Sequence, residues 1–221
     1  MMELAERARA YAALGDPSRL AIVELLANAD RAPSELGAEL GLPTNLMAHH
    51  LQILEQAGLI SRRRSEGDGR RSYVRRTAAC DRLLGTGPSL PRPRRVAFVC
   101  AQNSARSQLA EAHWRRISDV PVVSAGMHPA ARVHPKAVTI GRRHGLDLAG
   151  AQPKLAQDVL AGDELVIAVC DRAYEELDTR PLHWSVPDPA RSDTDAAFER
   201  VYDDLTARVE LLAAQLTEDL T

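Results

Sequence analysis

The sequence predicts two domains of different class: a mainly helical domain closed by a basic β-hairpin over residues 1–84, and a three-layer α/β domain with a central parallel sheet over residues 96–221. Three observations predict this. Short helical periods with Asp, Pro and Gly at their ends fill the first 58 residues. Two strand-like runs rich in arginine follow, around a turn of Glu66-Gly-Asp-Gly69. After a Gly/Pro-rich stretch at residues 85–95, read as a linker, strand-like and helical runs alternate to the end.

The elements are justified in order. Leu4 to Leu14 has a helical period and stops at Gly15. Asp16-Pro17 supplies an N-cap and a proline at the first helical position, so a helix is expected over 17–28, burying Leu20, Ile22, Val23, Leu25 and Leu26. Pro33 opens a shorter helix through Leu40, and Gly41-Leu42-Pro43 makes a tight turn. A further helix runs from Thr44 to Ala57 and stops at Gly58, and Ile60–Arg64 and Arg71–Arg75 read as the hairpin strands. Two helices around a Gly-containing turn, then a basic hairpin, read as a winged helix-turn-helix. In the second half, strands are expected at Val96–Val99, Val120–Ser124 and Leu165–Val169. Helices are expected at Ser107–Ile117, Pro135–His144, Pro153–Leu160 and Thr194–Leu216.

Composition narrows the function classes. A net charge of −2 argues against a uniformly basic nucleic-acid protein, but residues 61–76 hold seven arginines against Glu66 and Asp68. No apolar run approaches the roughly 18 residues of a membrane span, and nothing at the start reads as a signal peptide. Three cysteines, Cys80, Cys100 and Cys170, lack framework spacing. A cytoplasmic protein with reduced thiols and no membrane contact is therefore expected. His49 and His50 are neighbours on a helix and do not face each other, so no metal site is expected.

The chemistry concentrates at Cys100-Ala-Gln-Asn-Ser-Ala-Arg106-Ser107, directly after an apolar strand. By counting alone, a cysteine with an arginine six residues on carries little weight. Between a buried strand and a helix it carries more. The N–H groups of Ala101, Gln102, Asn103, Ser104 and Ala105, the helix start, Arg106 and Ser107 would cradle a tetrahedral oxyanion over the Cys100 sulfur. The same positive field stabilises the nucleophilic thiolate. Downstream, Trp184-Ser-Val-Pro-Asp188-Pro189 places a carboxylate in a stiff loop, where it can protonate a departing oxygen.

Two resemblances sharpen the reading. Ala13-Leu-Gly-Asp-Pro-Ser-Arg19, Leu36-Gly-Ala-Glu-Leu-Gly-Leu-Pro43 and the run His49–Ile60 resemble the arsenic-repressor (ArsR-like) family of dimeric winged-helix regulators. This implies a homodimer on double-stranded operator DNA, with Thr44, Asn45, Ala48 and His49 at base edges. Arg62, Arg63, Arg64, Arg70 and Arg71 would then lie on phosphate. Such repressors often sense metals through cysteines before the recognition helix; Ala32–Gly37 holds none, and Cys80 reads as a core residue.

Residues 95–217 resemble the low-molecular-weight tyrosine phosphatase superfamily, on the Cys100 loop, Ser124-Ala-Gly126, Gly145-Leu-Asp147, Val166–Asp171 and Asp188-Pro189. His183-Trp184 and Cys170 lean toward its arsenate-reductase branch. The resemblance implies catalytic roles for Cys100, Arg106 and Asp188, with Cys170 as a resolving thiol. Gln102 stands where a loop glycine is common, Ala105 where a second loop cysteine is common, and Leu177 at the place of a third relay thiol. A two-thiol arsenate reductase is therefore expected, with no tightly bound cofactor and with thioredoxin or a low-molecular-weight thiol as external reductant. A phosphatase of tyrosine or small phosphoesters, and a silent oxyanion or redox sensor that controls DNA binding, stand as alternatives.

Overall fold

A computed structural model describes residues 3–85, 87–179 and 181–217; Thr86, within the segment read as a linker, lies outside the described residues. The chain divides into two compact units, one of Met1–Ser65 with Gly69–Pro88 and one of Glu66–Asp68 with Ser89–Thr221.

In the first unit the helices are α1 (Leu4–Leu14), α2 (Pro17–Leu25), α3 (Pro33–Leu40), α4 (Thr44–Gln56) and α5 (Ala78–Leu84), and β1 (Ile60–Arg64) and β2 (Ser72–Arg76) form the hairpin. Asp16 caps α2 by accepting from the Arg19 N–H at 3.0 Å. Helix α2 is shorter than expected: it ends at Leu25, although Leu26 stays buried. Gly41, with φ of 64°, closes α3 in the left-handed conformation that the turn to α4 needs. Gly58 does the same for α4, and the Leu59 N–H reaches back to the Leu54 carbonyl at 3.0 Å. Ile22, Val23, Leu36, Leu51, Leu54, Leu59, Val74 and Cys80 make the core. The expectation for Cys80 as a core residue holds.

β2 lies one residue later than expected, at Ser72–Arg76 in place of Arg71–Arg75, and Ile60 pairs with Arg76. That register turns Arg76 inward, where it meets Asp81 on α5 at 2.9 Å. One of the seven arginines therefore serves the fold rather than the surface.

In the second unit the strands β5 (Val122–Gly126), β4 (Val96–Cys100), β6 (Leu165–Ala168) and β7 (Leu182–His183) lie in that order, all parallel. β4 is central and every residue in it is buried, as a parallel strand covered on both faces requires. Helix α6 (Arg106–Ile117) packs on β4 and β5 and against the 21-residue α10 (Asp195–Gln215), and α7 (Pro135–Arg143) meets α10. Phe98, Trp114, Leu109, Ile140, Phe198 and Leu205 fill the core.

Four features depart from expectation. Leu90–Pro91 (β3), inside the stretch read as linker, pairs in parallel with Leu216–Thr217 (β8). The helix expected over 153–160 is reduced to Ala156–Val159 (α8), because Leu155 bridges to Gly126 and the Gly126 N–H donates to the Lys154 carbonyl at 2.8 Å. The strand expected over 120–124 starts two residues later, at Val122. Helix α9 (Asp171–Glu176) and strand β7 were not expected; both are too short to show a period. Among the described residues no helix is long and apolar enough to cross a membrane.

Candidate oxyanion site

β4 delivers Cys100 at its carboxyl end, 2 % exposed, and the chain turns through residues 101–105 into α6. The loop is held by its carbonyls. Those of Cys100, Ala101, Gln102 and Ser104 accept from the N–H groups of Met127, His128, Ala130 and His134 at 2.8–3.1 Å. With these oxygens engaged elsewhere, the Asn103 N–H is left to donate to the Cys100 sulfur at 3.2 Å.

Asn103 sits at φ of 49°, a conformation that costs free energy unless the surroundings fix it. Its fully buried carboxamide does the fixing. Nδ2 donates to Ser107 Oγ and to Ser124 Oγ, both at 2.8 Å, and Oδ1 accepts from the Lys154 N–H at 2.8 Å and from Gln108 Nε2 at 3.1 Å. Both donors and the acceptor are in use. Ser107 Oγ accepts from Asn103 and lies 3.1 Å from the Cys100 sulfur, to which it can donate when that sulfur is a thiolate. Ser124 donates to the buried Glu111 carboxylate, which also faces Arg115 and Lys154.

Arg106, first residue of α6, is nearly buried. Its Nη1 donates to the Val186 carbonyl at 3.0 Å and its Nη2 lies 3.2 Å from Asp188 Oδ2. Burial opposes its charge, but the acidic groups around it outweigh it, the Cys170 and Cys100 thiols when ionised together with Asp188 and Glu66, and the guanidinium is held a cation. Asp188 is fixed by its own turn, accepting from the Ala190 N–H at 3.1 Å. Cys170, 2 % exposed, follows β6 beside β4: the Val169 N–H donates to the Val99 carbonyl at 2.8 Å. Its sulfur accepts from the Ala173 N–H at 3.4 Å. Burial pushes this thiol up to about 11, with the attraction of Arg106 opposing and the neighbouring Cys100 adding to the rise. None of the three cysteines is in a disulfide.

The structure therefore brings Cys100, Arg106, Asp188 and Cys170 together. Of the expected loop residues, Asn103 offers only its backbone, since its side chain is committed to the network, and the Gln102 side chain is exposed. Sequence reasoning missed Gln108, Glu111 and Lys154. Glu111 lies one helical turn after Ser107, a spacing that could have flagged it. It also missed the reason for Gly126: a Cβ there would lie 2.8 Å from the Asn103 nitrogen and the Gln102 carbonyl carbon.

In the first unit, Thr44, Asn45, Ala48 and His49 are all exposed on the first two turns of α4, and His50 is buried. Thr44, Ala48, Arg62, Arg70 and Arg71 line one cleft with residues of α3. Arg64 is exposed on the hairpin and Arg63 is half-buried; Arg62 also pairs with Glu55 at 3.3 Å. Among the described residues no cluster of three metal-ligating side chains occurs.

Residues 95–221, more than half of the chain, match the model of the low molecular weight phosphotyrosine protein phosphatases. The chain belongs to that family. Residues 14–63 match a helix-turn-helix domain, so the chain joins such a domain to the phosphatase-type one. The arsenate reductase of Brevibacillus brevis is 32 % identical over 126 residues, covering 53 % of this chain and 92 % of that protein. That of Halalkalibacterium halodurans is 31 % identical over 131 residues, covering 53 % and 94 %. Among solved structures, an arsenate reductase in the oxidized state is 27 % identical with a TM-score of 0.50, covering 56 % of this chain and 99 % of that one. The tyrosine phosphatase Wzb from Escherichia coli K30 in complex with sulphate shares the fold, with a TM-score of 0.51 at 22 % identity, covering 57 % and 99 %. The C-terminal domain is thus an arsenate reductase-like domain of thiol-dependent type.

Two outcomes follow from this geometry. Gly126→Ala should displace Gln102 and Asn103 from the sulfur and lower kcat/KM of the Cys100-dependent reaction by about 10²-fold, since misplacement near 1 Å carries that cost. Steady-state kinetics beside a thermal melt separates this from unfolding. Because Cys170 is held protonated below about 11, its alkylation by iodoacetamide should rise about tenfold per pH unit from pH 7 toward that value, as read by peptide mass spectrometry.

Proposed function

We propose that the C-terminal domain reduces arsenate to arsenite with two thiols and that the N-terminal domain binds operator DNA as a homodimer, the whole serving arsenic resistance. The observation that carries the enzymatic half is the meeting of two cysteines from neighbouring parallel strands at one buried guanidinium.

In this reading arsenate lies over Cys100 among the loop N–H groups and Arg106. The Cys100 thiolate attacks As(V), and an As–O bond breaks as Asp188 delivers its proton to the departing oxygen, which leaves as water. Cys170 gives its proton to an oxygen on arsenic and attacks the Cys100 sulfur as the thiolate. The S–S bond forms and the S–As electron pair passes to arsenic, which leaves as arsenite. Two thiols lose two electrons and arsenic gains two. An external thiol, thioredoxin or a low-molecular-weight one, restores the pair. The relatives named arsenate reductase support this assignment.

A second reading has an observation of its own. A buried Cys170 held protonated is what a phosphatase, which needs only Cys100, Arg106 and Asp188, would leave idle. Turnover of arsenate and of an aryl phosphate by wild type, Cys100→Ser and Cys170→Ser decides. The reductase reading expects both variants to lose arsenate reduction by at least about 10³-fold, and aryl phosphate hydrolysis, where present, to survive Cys170→Ser. Arsenate reduction indifferent to Cys170 with every thiol reductant would sink it.

For the DNA half, the exposed residues at the start of α4 and the arginines sharing its cleft support base contact by Thr44, Asn45, Ala48 and His49 and phosphate contact by Arg62, Arg63, Arg64, Arg70 and Arg71. Replacing Arg70 and Arg71 by Ala should flatten the dependence of log affinity on log salt by about 2, measured on promoter DNA by anisotropy. An unchanged slope would remove them from the interface.

A further inference from the structure

His183 and Asp171 form a buried pair that the reaction just described does not use. Their side chains are 1 % and 2 % exposed, and His183 Nε2 lies 3.0 Å from Asp171 Oδ1. Burial alone would raise the Asp171 carboxyl, yet hydrogen bonds from His183, Ser185 and the Glu66 N–H hold it below its usual range, so the pair is a carboxylate bound to donors. Three residues on, the Tyr174 ring stacks on the His183 ring, with centroids 4.2 Å apart and planes within 9°. His183 thus grips α9 at two points, at its first residue and one turn later.

What α9 carries at that end is Cys170, its N-cap residue. The residue is held from one side through β4, where the Val169 N–H meets the Val99 carbonyl. On the other side β7 is fixed to β6 by the bond from the Trp184 N–H to the Ala168 carbonyl, 2.8 Å. The His183–Asp171 pair, with the stacked Tyr174 ring, carries this register from β7 into the start of α9. Attack of one sulfur on another is demanding in distance and direction, so a helix start free to shift by about 1 Å would slow it steeply.

We propose that His183 is a positioning residue for Cys170, acting through Asp171 and the Tyr174 ring to aim the second thiol at Cys100. This rests on the two-thiol reading above. Its effect is confined to the step that forms the disulfide, the Cys170 sulfur giving an electron pair to the new S–S bond while arsenic takes the pair of the broken S–As bond. Binding of the oxyanion and nucleophilicity of Cys100 do not depend on it.

The test uses the full chain in single turnover: arsenate is added without reductant, and loss of thiols in Cys100 and Cys170 is followed by quenched-flow peptide mapping. Alkylation of Cys100 by iodoacetate, an anion drawn to the same loop, serves as a reading of the first thiol alone. His183→Ala should slow disulfide formation by about 10²-fold with Cys100 alkylation within about twofold of wild type. His183→Gln, which returns an N–H donor near the position of Nε2, should recover most of the rate; His183→Phe, which keeps only a ring to stack, should recover less. Should His183→Ala not fold, the comparison of Gln with Phe carries the same decision. A wild-type disulfide rate in His183→Ala, an equal fall in both readings, or a Gln variant no faster than Phe would overturn the proposal. A wild type that forms no Cys100–Cys170 disulfide with arsenate would remove the two-thiol reading and this one with it, and is distinguished by appearing before any His183 variant is made.

Discussion

The Asn103 carboxamide holds the oxyanion loop in a left-handed turn, and the rest of the site is arranged around that constraint. A positive φ at a residue with a side chain is unfavourable by itself, on the order of 1 kcal/mol or more. Here four hydrogen bonds of the carboxamide over-determine it: Nδ2 donates to Ser107 and Ser124, and Oδ1 accepts from Gln108 and the Lys154 backbone. Because the turn is fixed, the Asn103 N–H faces the sulfur and Ser107 Oγ is held 3.1 Å from it. An oxyanion arriving there meets donors already oriented, which is the condition for electrostatic stabilisation without reorganisation. The loop's outer surface is held just as firmly by the segment after β5, and Gly126 is small because that segment runs against the loop.

Arg106 is the second organising element. A guanidinium nearly out of water would be unfavourable without compensation, and the compensation comes from acidic groups on separate stretches of chain: Asp188 after β7, Glu66, and, when ionised, Cys100 after β4 and Cys170 after β6. A parallel sheet brings all its strand ends to one edge, so residues far apart in sequence converge there. The same cation that can hold a tetrahedral anion also opposes the burial that keeps Cys170 protonated.

The helical domain is built on different physics. The residues proposed to meet DNA are exposed rather than buried: small or polar side chains on the opening turns of α4, and arginines on the hairpin, several of which line the same cleft. Arg76 shows how such a count of charges misleads. It lies in the same basic stretch, but β-strand alternation turns it toward Asp81, and it ties β2 to α5.

By itself the sequence determined what local rules govern. Capping residues and periods placed α1 to α4 to within a few residues. The apolar run and the Cys100–Arg106 spacing placed the strand–loop–helix of the site, and the resemblance to the winged-helix regulators singled out the residues at the start of α4, which are exposed. Tertiary structure alone decided what depends on partners distant in the chain. β3 and β8 exist only because each finds the other, and residues 153–155 leave the helix that their pattern suggests because Gly126 offers a bridge. α9, β7 and the His183–Asp171 pair are likewise non-local, as is the meeting of Glu111 with Ser124 and Lys154. Periodicity reports which side of an element is buried. It carries no information on which buried polar group from another element will be there to receive a hydrogen bond, since that is set by strand order and register across the sheet.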